Sequence, residues 1–339
     1  MQWTERIGRR IKLRDLHVLH TVVQAGSMTK AAHDMAISVP VVSKAIADLE
    51  HAVGVRLLER NPQGVEPTAC GRVLLGRSLV AFDELRQGIK DIEFLGDPTA
   101  GDVRIGSTIP LAASFVSAVI DRLSRRYPRV VFHVATGEAV ALRRDLNERR
   151  VDLLIVRRFG PFAEEQLSFE TLYENPYVVA AGINNPWVRR RRIGLADLVG
   201  ELWALPPPDS AVGSVAVEAF RASGLEVPHA TVVAFAHEMR INLLRTGRYL
   251  TILPQSVLRV PDKHPFLSEL NVKLPIVSGP IGILTLKRRT LSPVAQLFID
   301  CAHEVAEPTG PADHRAHLRS RRHQGAGPRR HRCVRARRP

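Results

Sequence analysis

LRDLHVLHTVVQAGSMTKAAHDMAISVPVVSKAIADLEHAVGVRLLERNPQGVEPT, residues 13–68, decides the fold of the N-terminal part of this chain. Leu13, Leu16, Leu19 and Val23 recur at helical spacing. Gly26 reads as the stop of that helix and Ser27 as the cap of the next. Ala31, Ala32 and Met35 give the second helix a face small enough for close contact. After a polar break, Val39-Pro40-Val41-Val42-Ser43-Lys44-Ala45-Ile46-Ala47-Asp48-Leu49-Glu50 predicts a third helix. Pro40 is tolerated there because the first turn leaves its backbone nitrogen without a helical partner in any case. Val42, Ile46 and Leu49 form the inward stripe, which turns Val39, Val41, Ser43, Lys44 and Ala47 outward. A small, mildly basic outer face on a helix that follows a tight turn suits the major groove, so double-stranded DNA is the first partner to consider.

Outward from this stretch, Thr68 is placed to cap a long helix that reaches about Leu95. Leu75, Phe82 and Ile89 stand seven apart, with Leu85 and Ile92 between and beyond them. Such a seam calls for a partner helix, and self-association is the expectation; packing on the chain's own second domain is the alternative. Gly96-Asp97-Pro98-Thr99-Ala100-Gly101 breaks the helix. Strand patterns at Val103–Gly106, Val130–Ala135 and Asp152–Val156 then alternate with helix patterns at Leu111–Arg126 and Ala139–Arg149, which predicts a parallel sheet. A second unit follows, with strands expected at Tyr177–Ala181, Trp203–Leu205, Thr231–Phe235 and Leu250–Leu253. Its helices are expected at Val212–Ser223, Glu238–Arg245 and Pro254–Val257. Ile281–Leu286 and Ser292–Val305 supply a last strand and a closing helix.

Composition adds bounds. The 339 residues suffice for two or three domains. No run of about 18 apolar residues predicts a membrane span, and the first residues lack the apolar core of a signal peptide. The three cysteines, Cys70, Cys301 and Cys333, have neither disulfide-framework nor metal-ligand spacing, so a cytoplasmic setting without metal or organic cofactor is expected. Of the formal charge of +14, ten Arg and one Asp in 308–339 contribute +9. That segment is nearly free of aliphatics and predicts disorder. It reads either as a basic arm adding salt-sensitive DNA affinity or as an unselected extension. The net charge therefore does not carry the DNA argument.

The motifs Ala-Gly-Ser-Met-Thr-Lys-Ala-Ala (25–32), Ser-Val-Pro-Val-Val-Ser-Lys-Ala-Ile (38–46), Leu-Glu (49–50), Gly-Val-Arg-Leu-Leu-Glu-Arg (54–60) and Glu-Pro-Thr-Ala-Cys-Gly (66–71) resemble the LysR-type transcriptional regulators. The resemblance runs in register over the first ~95 residues and more weakly to about residue 306. It implies an α/β protein with an all-α-type winged helix-turn-helix N-terminal domain, and an effector domain of two α/β lobes resembling periplasmic binding proteins. The implied layout is 1–67 for the DNA-binding domain, 68–98 for the linker and dimerisation helix, and 99–307 for the effector domain. Lobe I would take about 101–172 and 280–307, and lobe II about 173–279, with the chain crossing near Leu172–Tyr173 and Pro275–Pro280. The basic tail would be 308–339. The implied function is sequence-specific regulation of transcription by a homodimer or homotetramer under control of a small molecule, with RNA polymerase as a further candidate partner. An effector-independent nucleoid-type binder with a vestigial pocket is the alternative. Two departures from the family pattern stand out: Val39 replaces the usual Gln, and Leu58 the usual Phe.

Candidate sites follow from placement. Ser27 and Thr29 begin a helix, where hydroxyls and free N–H groups suit phosphate. Val39, Pro40, Val41, Ser43 and Lys44 face out from the reading helix, and Arg60 on the wing is suited to a narrow minor groove. For the effector, Ser107 and Thr108 follow the first strand of the α/β unit, Gly137 and Glu138 the second, and Arg157 the third. Ser210 opens a helix of the other lobe and His237 follows one of its strands. Ligands in such sheets sit beyond the carboxyl ends of strands, against helix N-termini. Arg157 would favour an anionic effector, a carboxylate or sugar derivative, unless Glu138 pairs with it. Thr136-Gly137-Glu138 with Leu142, Leu146 and Arg157 resembles the subgroup that governs protocatechuate catabolism and sugar-binding-protein expression. Arg189–Arg192 reads as a solvated loop. No Walker loop, GxSxG elbow, HExxH or EF-hand pattern occurs, so no catalytic set is expected.

Position 39 gives a direct test. Gln can make a bidentate contact to adenine worth about 1–3 kcal/mol of discrimination, whereas valine offers only an apolar surface. Val39→Gln is expected to change base preference more than overall affinity. Binding-site selection that returns the same sequence logo for both proteins would show that position 39 does not read bases.

Overall fold

The structure, a computed structural model, describes residues 10–61, 64–158, 166–258, 264–276 and 279–306. The basic segment assigned to 308–339 lies outside the described residues. None of the described helices is long and apolar enough to cross a membrane.

Three helices build the N-terminal unit: α1 (Leu13–Ala25), α2 (Met28–Asp34) and α3 (Val39–Val53). Gly26 ends α1 in the left-handed region at φ 64°, where a side chain would be strained. Ser27 then accepts from the Lys30 N–H to start α2. Leu19, Val22, Ala31, Val42, Ile46 and Leu49 close a core between the three helices. β1 (Leu58–Asn61) and β2 (Gly64–Pro67) form the antiparallel wing. The wing is tied to the turn, since Val65 N–H donates to the Gly26 carbonyl at 2.9 Å. A Cβ at Gly64 would meet that carbonyl oxygen at 2.5 Å, so glycine is required for the close approach. Glu50 fixes the loop leaving α3 by accepting from the Leu57 and Leu58 N–H groups at 2.7 and 3.3 Å.

Thr68 caps α4 (Ala69–Gly96) by accepting from the Gly71 N–H, as its position predicts. The helix leads into β3 (Ala100–Ser107). The next helix is one rod over 109–126, α5, with a π-helical turn at Ala112–Val116. Then come β4 (Arg129–Thr136), α6 (Ala139–Asn147), β5 (Leu153–Arg157) and β6 (Leu167–Tyr173). With β12 (Ile281–Leu286) they form one sheet in the order β4-β3-β5-β12-β6. The parallel sheet expected from the alternation forms, with β3 parallel to β4 and β5, while β12, whose direction the pattern left open, runs antiparallel to β5 and β6. The physical reason is the path of the chain, which returns from the second lobe and enters this sheet from the opposite end. α5 and α9 (Pro293–Ala306) cover one face through Val103, Ile105, Val119, Phe298 and Ala302, and α6 covers the other through Leu142 and Leu146.

Lobe II is a second five-stranded sheet. Its strands are β7 (Tyr177–Gly182), β8 (Leu202–Leu205), β9 (Val232–Val233), β10 (Tyr249–Pro254) and β11 (Leu267–Glu269), in the order β11-β7-β10-β8-β9. α7 (Gly213–Ala222) lies on one face, where Phe220 meets Trp203 edge-on at 5.4 Å. α8 (His237–Leu244) lies on the other through Ile241 and Leu244. The strand expected at Thr231–Phe235 shortens to two residues, and the helix expected at Pro254–Val257 is a 3-10 turn at Gln255–Val257. β6 and β11 are strands that the sequence pattern did not predict. The chain leaves lobe I after Tyr173 and enters β7 at Tyr177.

A buried ion network joins α4 to the base of lobe I. Arg289 donates from Nε and Nη2 to the two Asp83 oxygens at 2.8 and 3.0 Å, and from Nη2 to Asp152 at 2.8 Å. Arg86 and Arg149 also pair with Asp83. Lys90 bonds Asp102 at 2.9 Å, and Asp152 accepts from the Arg104 N–H at 2.9 Å. Burial alone would raise the Asp83 carboxyl, but hydrogen bonds and charge from Arg289, with Arg149 and Arg86, hold it below the usual carboxylate range. Removing one partner from a buried pair costs about 3–5 kcal/mol because it strands the other. Arg289→Met is therefore expected to lower stability by that order in a denaturant titration. The folded Asp83 carboxyl titrates below its unfolded counterpart. Its contribution should be complete above about pH 4 and fade as pH falls through the depressed value. An Arg289→Met protein with wild-type stability at neutral pH would remove the network from this role.

Candidate functional site

The outer face of α3 has the placement that the sequence predicts. Val42, Ile46 and Leu49 are sealed inside, while Val39, Pro40, Val41 and Lys44 are exposed and Ser43 is half-buried. Ser38 caps α3 by position only, without a side-chain bond, and Pro40 sits in the first turn. Thr29 is exposed beside the half-buried Ser27 cap. Lys44 has no ion pair among the described residues, which leaves its ammonium available to a phosphate or a base edge. Arg60 is on β1 opposite Val65, and its side chain lies outside the described residues.

The five residues expected to form one seam on α4 are divided by the structure. Leu75 and Phe82 pack against the core of the DNA-binding unit, with the Phe82 ring edge-on to His17 at 6.3 Å. This corrects their assignment to an intermolecular seam. The N-terminal half of α4 is docked on α1, so apolar residues there are consumed within the chain. Beyond it, Leu85, Ile89, Ile92 and Leu95 are 50, 58, 70 and 82 % exposed. On the opposite side, Asp83 and Gln87 are buried and Lys90 is engaged with Asp102 and Asp152. The helix thus turns its polar face inward and its apolar face to solvent, the reverse of an ordinary surface helix.

At the junction of the lobes the predicted residues separate into two groups. Ser107 is fully buried and its hydroxyl donates to the Ile155 carbonyl at 2.9 Å, which couples β3 to β5 and corrects its assignment as a ligand-facing hydroxyl. Ser210 is also corrected: it donates to the Pro207 carbonyl and accepts from the Gly213 N–H at 3.0 Å, a local cap. Gly137 is half-buried and its N–H donates to the Ser107 carbonyl at 3.3 Å. Thr108 stands before α5, half-buried, with no side-chain capping bond. Glu138 is exposed and forms no ion pair with Arg157 among the described residues. Arg157, at the end of β5, is buried. It donates to the Gly279 carbonyl at 2.8 Å and lies over the Tyr177 ring at 4.6 Å.

Three further residues complete this junction, and sequence reasoning did not reach them. Tyr173 ends β6 and packs at 5.2 Å on Phe115 of the π-helical turn; burial pushes its hydroxyl up to about 12. Tyr177 starts β7, and burial raises its hydroxyl although the charges of Arg157 and Arg240 pull the other way. Arg240 is buried on α8 and donates to the Thr251 hydroxyl at 3.3 Å. His237, one turn earlier, is lowered to about 4 by burial, with the charges of Arg240 and His264 adding to it. The three-residue spacing of His237 and Arg240 on a helix was a legible signal that the two share a face.

Comparison with known proteins bears on both units. Residues 13–72 match the model "Bacterial regulatory helix-turn-helix protein, lysR family", and residues 96–307 match "LysR substrate binding domain". The HTH-type transcriptional regulator GbpR of Azospirillum brasilense is 26% identical over 294 residues, covering 85% of this chain and 84% of that one. CbbR of Xanthobacter flavus is 26% identical over 290 residues, covering 85% and 86%. Among solved structures, full-length OxyR from Pseudomonas aeruginosa is similar in fold, with a TM-score of 0.65 at 19% identity over 88% of this chain and 97% of that one. CbnR, solved with its target DNA, has a TM-score of 0.52 at 18% identity over 88% and 100%.

The division of α4 predicts different outcomes for two charge insertions. Ile89→Asp is expected to weaken self-association with little loss of monomer stability, because the residue is exposed. Phe82→Asp is expected to destabilise the DNA-binding unit, because the charge enters an apolar contact. Sedimentation and thermal melts of both variants check this. A self-associating Ile89→Asp protein with wild-type dissociation would show that the exposed stripe has another use.

Proposed function

The chain belongs to the LysR family of DNA-binding transcriptional regulators, and from that premise we propose a dimeric, sequence-specific regulator controlled by a small molecule held between its two lobes. The observation that carries the DNA half is the outer face of α3. It is small, mildly basic and exposed, on a helix whose other face is closed by Val42, Ile46 and Leu49. In this reading Ser27, Thr29 and Lys44 meet phosphates, and Val39, Val41 and Ser43 approach base edges. The inverted polarity of α4 supports pairing of Leu85, Ile89, Ile92 and Leu95 with a second copy. Two reading helices would then be set on adjacent half-sites.

The effector reading rests on the junction of Thr108, Arg157 and Tyr177, where helix starts and strand ends of one lobe meet the first strand of the other. A molecule that binds one arrangement of the lobes more tightly shifts the population toward it, and the paired linker helices carry that shift to the DNA.

Footprinting with Lys44→Ala tests the conclusion. Wild-type protein is expected to protect discrete sites with inverted symmetry, and the variant to bind them more weakly, with a salt slope reduced by about one if the contact is to phosphate alone. Broad, sequence-independent coverage by the wild type would favour a nucleoid-type role instead. Unchanged affinity of the variant would remove Lys44 from the interface.

A further inference from the structure

Arg157 and Arg240 are 8 % and 4 % exposed, and they come from different lobes. Neither forms an ion pair among the described residues. Arg157 donates to the Gly279 carbonyl and hydrogen-bonds the Tyr177 side chain, and its Nη2 has no partner. Arg240 donates to the Thr251 hydroxyl, whose own proton goes to the Ala204 carbonyl at 2.6 Å; its Nε has no partner. Arg157 lies over the Tyr177 ring at 4.6 Å, and the charges of Arg157 and Arg240 both act on the Tyr177 hydroxyl. The other groups that act on them are two tyrosines, a histidine and, on Arg157, the carboxylate of Glu174. Tyr173 and Tyr177 remain protonated at neutral pH, His237 is uncharged there, and Glu174 is exposed to solvent.

A guanidinium does not shed its proton inside a protein. Two of them buried without an ion pair among the described residues, with only the exposed Glu174 acting on Arg157, leave positive charge that is costly unless something negative joins it. The contrast within the chain is direct, because Arg289 is equally buried and meets two carboxylates. We propose that Arg157 and Arg240 form a bipartite anion site for a small organic dianion, a dicarboxylate or a phosphate monoester, which bridges lobe I to lobe II across Tyr177. This rests on the effector reading above and names the ligand class of that junction. The dianion supplies the paired negative charge that no described residue brings into contact with either guanidinium. It also ties β5 of one lobe to α8 of the other, so its binding selects the arrangement in which both guanidiniums reach it.

Thermal shift and calorimetric titration on the whole chain test this with defined probes: malonate, succinate, glutarate and inorganic phosphate, against butyrate and succinamide. At least one dianion is expected to bind and to raise the melting temperature where butyrate and succinamide do not. A response confined to dicarboxylates or to phosphate identifies which source of the dianion the site takes. Arg240→Met and Arg157→Met are each expected to weaken that binding about ten-fold or more, the scale of a lost hydrogen bond to a charged group. Arg240→Lys, which keeps the charge, should retain more affinity than Arg240→Met. Arg240→Met without ligand is expected to melt no lower than the wild type, because it removes an unpaired buried charge. A marked loss of apo stability with unchanged dianion affinity would make Arg240 a structural residue and overturn the proposal. So would the failure of every dianion to outperform its monoanionic and neutral counterparts. If a neutral metabolite then altered operator binding, the anion site would fall and the effector-controlled regulator would stand. A wild-type protein that protects discrete operator sites but answers no small molecule would overturn the effector reading itself.

Discussion

The carboxylate of Asp83, held by three arginines, is the interaction on which the relation between the two halves of the chain depends. It stands on the helix that leaves the DNA-binding unit, and Arg289 reaches it from the far end of the α/β domain, 206 residues along the chain. The same guanidinium reaches Asp152 at the start of β5, so helix and sheet are held through one planar fork. Lys90 adds a second point of attachment two turns further along α4. A cluster of this kind is sensitive to the loss of any member, because each buried charge is stabilised only by the others. Lobe I and the linker helix are thereby coupled, and the chain passes from lobe I to lobe II between Tyr173 and Tyr177.

That coupling explains why the polarity of α4 is inverted. Residues 83, 87 and 90 face the base of lobe I, where their charges and amide find partners or burial, and the apolar residues 85, 89, 92 and 95 are left on the outside. A helix of this length with an exposed apolar stripe is stable only if something covers it, and a second copy presents the same stripe. The buried amide of Gln87 has no hydrogen-bond partner among the described residues.

Much of this was legible in the chain itself. The three helices of the DNA-binding unit, the caps at Ser27 and Thr68 and the alternation that builds lobe I all follow from local chemistry: glycine at a positive φ, hydroxyls at helix starts, and period-two runs of valine and isoleucine. Three things were not. The direction of β12 depends on the route of the chain through the other lobe, which no local pattern encodes. The fate of Phe82 depends on which neighbour claims an apolar face, and a seven-residue spacing is the same for an internal and an external partner. Ser107 was placed correctly at the strand end, but a serine there satisfies an adjacent strand as readily as a ligand, and the hydrogen bond to Ile155 decides it.

The proposed effector junction was half legible for a related reason. Arg157 could be found because it ends a strand at the point where ligands gather in such sheets. Arg240 could not, because its significance lies in what does not face it. Arginine is long enough to bury its stem in any core, and sequence cannot tell a guanidinium that has found a carboxylate from one that has not. The structure separates the two: Arg289 pairs with two aspartates, and Arg240 donates to a threonine hydroxyl and forms no ion pair among the described residues. Position along the chain is thus a weaker guide to a charged residue's role than the balance of charge around it, and that balance is set by residues as remote as Asp83 and Arg289.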